Sequence, residues 1–247
     1  MPAPTTTKSA RSGDGVLVVT VWFMPLRIVG IVPAAGFATR LQPLAGSKEV
    51  YRIGGRPLID YVVERMGAAT PDEVRVVTRP DKRDVIDHAV RIGARVIEGT
   101  PETLAQSIAL GLRTLDADDV ALIGLPDTVW EPIHGFTLLL EILSVETDVA
   151  LGLFTSGEPE RSDVVTLDAE GRVTAVSVKP ARPPSDLIWG CAAARAGALA
   201  GLENRAWPGE QFDLLARAGR ARGLHLGSDF LDVGTRDALR RAEARFA

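Results

Sequence analysis

The feature that most restricts the fold is an alternation that begins at Leu26. Short apolar runs take turns with longer segments whose apolar residues recur every three or four positions, the periods of buried strands and amphipathic helices. LRIVGIVPAA reads as a strand running into a loop of small residues, and PLIDYVVERMGAA (57–69) as a helix with Leu58, Ile59, Val62, Val63 and Met66 on one face. Residues 73–79 read as a strand, 81–93 as a helix closed by Gly93, and ARVIEG as a strand. Residues 100–115 read as a helix with Thr100 as N-cap, Pro101 at N1 and Thr103 at N3. DVALIGLPD (119–127) is a strongly apolar strand ending in Asp127; a helix over 133–144 and a strand over 147–154 follow. This order predicts an α/β fold, a Rossmann-like, mainly parallel sheet flanked by helices.

After residue 155 the pattern changes. DVVTLDAEGRVTAVSVKP (163–180) reads as two strands joined by a DAEG turn, LIWGCAAAR (187–195) as a further strand, and 210–223 as a helix. Strand-like HLGSDFLDVG and a terminal helix DALRRAEARF follow. These segments predict a small antiparallel extension within one domain over 26–247. Residues 1–25 read as an N-terminal extension: a polar, unstructured tail over 1–15, then VLVVTVWFM, an extra strand or the trace of a start upstream of Met24. That apolar run is too short to cross a bilayer.

Composition narrows the function. Net charge is −4, from 28 basic and 32 acidic side chains. That argues against nucleic acid as a partner, since such binding rests on a basic surface. The lone Cys191 can form no internal disulfide and suits a reducing cytoplasm. His88, His134 and His225 lie far from it and from one another, which gives no zinc-site spacing. Cys191 reads as core, and His88 as solvated on a polar helix face. Trp130, Trp189 and Phe230 read as core or pocket wall. Only four basic residues are lysine (Lys8, Lys48, Lys82 and Lys179), so in an arginine-rich chain each lysine is informative.

In an open α/β sheet, ligands bind at the carboxyl ends of the strands. The loop there, GIVPAAGFATRLQPLAGSKEV (30–50), carries Ala34, Ala35, Gly36 and Ala38, whose small side chains let a ligand approach backbone amides, together with Arg40 and Lys48. Such amides and cations suit phosphate. The loop is neither a Walker A nor a GxGxxG sequence.

Gly36-Phe37-Ala38-Thr39-Arg40, Pro43, Ser47-Lys48 and Pro57-Leu58-Ile59 resemble the signature loop of sugar-1-phosphate nucleotidyltransferases. Three later segments agree in order: VALIGLPD, AVSVKP and DFLDVGT. The resemblance implies Mg²⁺ held by Asp127 and Asp232, and phosphates gripped by the loop with Arg40 and Lys48. It implies the sugar phosphate on Lys179. It places nucleotide contacts at Ala34, Ala35, Gly36, Thr39, Arg40, Glu98, Thr103 and Asp127, and catalytic roles at Arg40, Lys48, Asp127 and Asp232. The implied reaction makes an NDP-sugar and pyrophosphate from an NTP and a sugar 1-phosphate. The NTP is dTTP or UTP, with GTP as an alternative if Glu98 reads the base. The implied setting is the cytoplasm, without membrane partners and with homo-oligomer formation left open. The alternative is a non-catalytic NDP-sugar-binding or regulatory relative.

Ala38 stands where the family has glycine, Ser47 where it has proline, and Val178 where it often has a sugar-binding glutamate. Ala38 strains the loop only if its φ is positive. Bland roles compete at three positions: Asp127 and Asp232 as helix caps, and Lys179 as a solvated loop residue.

Overall fold

The computed structural model describes the backbone of residues 7–12, 15–20, 26–41 and 43–246, with side chains from residue 26 onward except those of 40 and 42. The nine-stranded central sheet contains β1 (Ile28–Pro33), β2 (Glu73–Thr78), β3 (Arg95–Glu98), β4 (Val120–Gly124), β5 (Val149–Thr155), β6 (Asp163–Leu167), β7 (Val173–Val178), β8 (Leu187–Arg195) and β9 (Ala221–Gly227). Strands β3, β2, β1 and β4 lie side by side in parallel. Antiparallel β8 follows β4, and β5 and β9 continue the sheet beyond it.

The edge of β8 that faces β4 is shared. Its second half, Cys191–Arg195, pairs with β4. Its first half meets the β6–β7 hairpin through Ile188 and Val164. The sheet therefore splits where β4 ends at Gly124, and the antiparallel extension is continuous with it. Within the hairpin turn, Asp168 Oδ1 accepts from the amides of Glu170 and Arg172, and Gly171 has φ 76°.

Helices α1 (Leu58–Gly67), α2 (Arg83–Arg91) and α4 (Gly135–Ile142) cover one face of the sheet. Helices α3 (Leu104–Leu112) and α5 (Pro208–Arg217) cover the other. Alternation sorts the strand residues: Val29 and Ile31 of β1 join the α3/α5 core, while Val32 joins the α1/α2/α4 core. A third apolar cluster, with Ile53, Tyr61, Val129 and Val233 buried, docks α6 (Arg236–Arg245) and the ribbon formed by Thr128–Trp130 and Phe230–Asp232. Outside the main sheet, the backbones of Thr7–Ser12 and Gly15–Thr20 pair antiparallel, so the tail expected to be unstructured over 1–15 contains a strand. No helix among the described residues is long and apolar enough to cross a membrane.

Three local expectations need correction. The third helix starts at Leu104: Thr103 is its N-cap, with Oγ1 accepting from Gln106 N at 3.1 Å, while Gln106 Oε1 accepts from Glu102 N at 2.8 Å. This reciprocal arrangement outcompetes a start at Thr100. The helix expected over 210–223 ends at Arg217, because Gly219 turns the chain at φ 71° into β9. His88 is buried rather than solvated, with Nε2 2.5 Å from Asp60 Oδ1 and Nδ1 3.3 Å from Arg91 Nη1. Cys191 is core, and burial raises its thiol pKa.

Where β4 ends, α1 and α4 pack so closely that a Cβ at Gly124 would lie 2.4 Å from Val62 Cγ2 and 3.1 Å from Phe136 Cζ. Gly124→Ala should therefore cost about 1–3 kcal/mol of stability. The expected reading is a lower urea midpoint with an unchanged m-value.

Candidate active site

A pocket of about 400 Å³ opens at the carboxyl ends of β1 and β4, over the split in the sheet. One side is built by Ala35, Gly36 and Phe37 after β1, by Lys48 and Glu49, and by the start of α3. The other side is built by Asp163 at the start of β6, Lys179 after β7, Trp189 of β8 and Trp207 before α5. Asp127 and Asp232 also line it.

The two aspartates are brought together by backbone pairing. Asp232 is the ladder partner of Thr128, and Val233 N donates to Asp127 O at 2.8 Å. Lys48, in the short 3₁₀ turn Lys48–Val50, forms an ion pair with Asp127. Burial works against the Lys48 ammonium, but Asp127, Glu49 and Asp232 outweigh it and raise its pKa above the ordinary lysine value. Neither aspartate caps a helix. Helix α4 begins only at Gly135, and Thr235 caps α6 by accepting from Ala238 N at 3.2 Å.

Two carboxylates beside a cation-lined pocket fit a magnesium ion, which takes one or two protein carboxylates and completes its sphere with water and substrate phosphates. They are not a closed cage: no group of three or more His, Cys, Asp or Glu able to hold a metal occurs among the described residues.

The start of α2 clamps this apparatus from below. Lys82 Nζ donates to Ala34 O at 2.8 Å, to Gly36 O at 3.1 Å and to Glu49 Oε2 at 2.6 Å. Burial raises the Glu49 pKa, and Lys82 and Lys48 offset only part of that. Asp84 accepts from Ser47 N at 2.7 Å and from Ser47 Oγ at 2.8 Å. The N–H that serine retains, and proline would lack, is therefore in use just before Lys48. Partial burial opposes the Asp84 charge, but hydrogen bonds from Ser47 and Val85 lower its pKa on balance.

The residues expected at the site divide. Ala35, Gly36, Lys48, Thr103, Asp127, Lys179 and Asp232 line the pocket. Ala34 lies beneath it, and its amide is spent on Val77 O at 2.7 Å, so it has no amide for a ligand. Thr39 is exposed and outside the lining. Glu98 lines a neighbouring hollow, which shares Pro101 with the pocket, together with Arg113 and Glu203. The Arg40 side chain lies outside the described residues. Lys179 is an exposed loop residue, and its Nζ sits 3.1 Å from the centroid of the Trp207 ring.

Sequence reasoning missed Lys82, Asp84, Asp163 and Ser107. The scarcity of lysine could have pointed to Lys82. Ser107 lines the pocket from α3 with its buried Oγ unpaired among the described residues, an atom suited to a ligand's hydrogen bond.

Two predictions follow from this geometry. Ala38 has φ 53°, where a Cβ is strained. Ala38→Gly should raise stability by about 0.5–1 kcal/mol, the strain relieved less the added freedom of the unfolded chain, read as a higher denaturant midpoint. Ser47 has φ −77°, which proline can adopt, so Ser47→Pro isolates the lost donors. The Asp84 contribution is present above the ordinary aspartate pKa and is lost as pH falls through its lowered value. Ser47→Pro should therefore lower stability near neutral pH and flatten the acid limb of the stability curve measured by thermal melts.

Comparison with known proteins agrees with this architecture. The family model described as MobA-like NTP transferase domain matches residues 30–159. The glucose-1-phosphate thymidylyltransferase of Neisseria meningitidis serogroup A is 29% identical over 168 residues, 64% of this chain and 57% of that protein. The low-salt glycan biosynthesis nucleotidyltransferase of Haloferax volcanii is 24% identical over 168 residues, 64% of this chain and 46% of that protein. The chain thus spans about half the length of the curated relatives it matches. A solved Bacillus anthracis chain, provisionally named glucose-1-phosphate thymidylyltransferase, superposes with a TM-score of 0.77 at 17% identity, over 89% of this chain and 95% of that one. At that identity the likeness is one of fold. The chain belongs to the MobA-like NTP transferase domain family.

Proposed function

We propose that this protein is a sugar-1-phosphate nucleotidyltransferase, which joins an NTP to a sugar 1-phosphate and releases pyrophosphate. The observation that carries this reading is the gathering of Lys48, Asp127, Asp232 and Lys179 around one pocket beside the loop of small residues. The names of the relatives support the same reaction class.

In this reading the phosphate oxygen of the sugar phosphate attacks the α-phosphorus in line. A phosphate dianion is already nucleophilic at neutral pH, so the pocket supplies position and charge rather than a base. The amides of Ala35 to Thr39, with Arg40, take the β- and γ-phosphates. Lys48 exchanges its Asp127 partner for the α-phosphate. Lys179 orients the incoming phosphate. Asp127 and Asp232 would hold magnesium, which when bound supplies charge that offsets repulsion between the two phosphate groups.

Glu98 lies outside the pocket lining, which supports dTTP or UTP as the first choice over GTP. The buried Cys191 suits a cytoplasmic setting.

The test is pyrophosphate release from a panel of NTPs and sugar 1-phosphates with magnesium. Asp127→Ala and Asp232→Ala should each lower turnover at least ~100-fold. Lys179→Ala should raise the KM for sugar phosphate more than that for nucleotide. Nucleotide binding without pyrophosphate release from any pair would favour the non-catalytic alternative.

A further inference from the structure

We infer that Asp163 recognises the body of the acceptor. Its carboxylate receives hydroxyl groups of a polyhydroxylated ring, a sugar or cyclitol, whose phosphate is held by Lys179. The inference rests on the reaction class proposed above and assigns a residue that the sequence left without a role.

Asp163 opens β6, and its ladder partner is Val178, the last residue of β7. Directly opposed residues share a face of the sheet. Lys179 follows at once, with φ 41° and its N donating to Ser162 O at 3.1 Å. Asp163 and Lys179 therefore stand together at one end of the hairpin, and both line the pocket. Position 178 carries valine, so this end of the hairpin has its carboxylate on the other strand.

The surroundings hold that carboxylate in place. Asp163 is 6% exposed. Trp189 Nε1 donates to its Oδ2 at 3.2 Å, and the amide of Gly209 in the first turn of α5 donates as well. A Cβ on Gly209 would lie 2.4 Å from Oδ2, so only glycine lets the helix approach this closely. Two donors do not exhaust a carboxylate, which offers about four acceptor sites.

The positive charge of Lys179 already acts on Asp163. A further buried cation would crowd Lys179, whereas neutral hydroxyls add no charge. The indoles of Trp189 and Trp207 line the same wall and offer apolar faces to the C–H side of a ring.

Titration calorimetry of the whole chain tests this without requiring turnover. The probes are glucose 1-phosphate, inositol 1-phosphate and inorganic phosphate. Asp163→Asn keeps an acceptor for Trp189 and Gly209 but loses the charge. It should weaken whichever ring phosphate the wild type binds by about tenfold or more, the scale of a hydrogen bond to a charged group, and leave inorganic phosphate unchanged. Restoring the carboxylate from the opposite strand, in Asp163→Ala/Val178→Glu, should recover part of the affinity that Asp163→Ala alone loses. A purely structural role would not respond in this way.

Equal losses for ring phosphate and inorganic phosphate, no loss in Asp163→Asn, or wild type that binds neither ring phosphate would overturn the inference. Failure of the reaction itself appears separately, as wild type that binds a ring phosphate but releases no pyrophosphate.

Discussion

Three charges from distant parts of the chain meet because a small apolar cluster lies directly beneath them. Ile53, Val129 and Val233 are buried together with Tyr61 and Ala242. They follow Lys48, Asp127 and Asp232 in the chain by a few residues each. Burying these side chains brings their polar neighbours to one place, and the hydrophobic gain helps offset the cost of partly burying the Lys48–Asp127 pair, while Asp232 stays exposed. Leaving one carboxylate without its cation there would cost far more than the pair itself contributes. The same cluster anchors α6, whose Glu243 accepts from Tyr51 Oη at 2.7 Å and whose neighbour Phe246 packs on Tyr61 at 5.3 Å between ring centres.

A second constraint creates the space. Strand β8 is longer than β4, and the edge that β4 leaves uncovered is taken by β6. Backbone pairing is satisfied on both sides of the junction, yet the sheet parts there. Ligand-binding crevices in open α/β sheets lie beyond the carboxyl ends of the strands for the same reason: neighbouring connections diverge. The half of the pocket proposed for the nucleotide is held by α2 through Lys82 and Asp84, the half proposed for the acceptor by α5 through Gly209 and Trp207.

Much of this was legible in the sequence, for reasons that differ by element. Strands such as β4 and β8 are continuous apolar runs, and Asp127 stands at the end of one; Lys179, after the alternating strand β7, stood out through the scarcity of lysine and the family resemblance. The hairpin announced itself through DAEG. Helix ends were less legible: Thr100 and Thr103 are both good caps, and only the Gln106 side chain decides between them. Glu98 lines the neighbouring hollow rather than the pocket, a difference that spacing along the chain does not show. The clamp at α2 was invisible because Lys82 and Asp84 act on backbone groups more than thirty positions away. His88 shows the same limit: a polar residue beside Asp87 reads as solvated until Asp60 arrives from another helix.

The ribbon that carries Asp232 has a bearing on the order of events during folding. Its partner strand, Thr128–Trp130, lies about a hundred positions earlier in the chain, and the hydrogen bond that fastens α6 joins positions 192 apart. Contacts of such long range form late, after more local structure has reduced the entropy of closing the loop. The parallel core and the loop after β1 can thus assemble while the pocket still lacks Asp232. An immature chain would hold its Lys48–Asp127 pair without Asp232, which arrives only with the closing of the C-terminal hook.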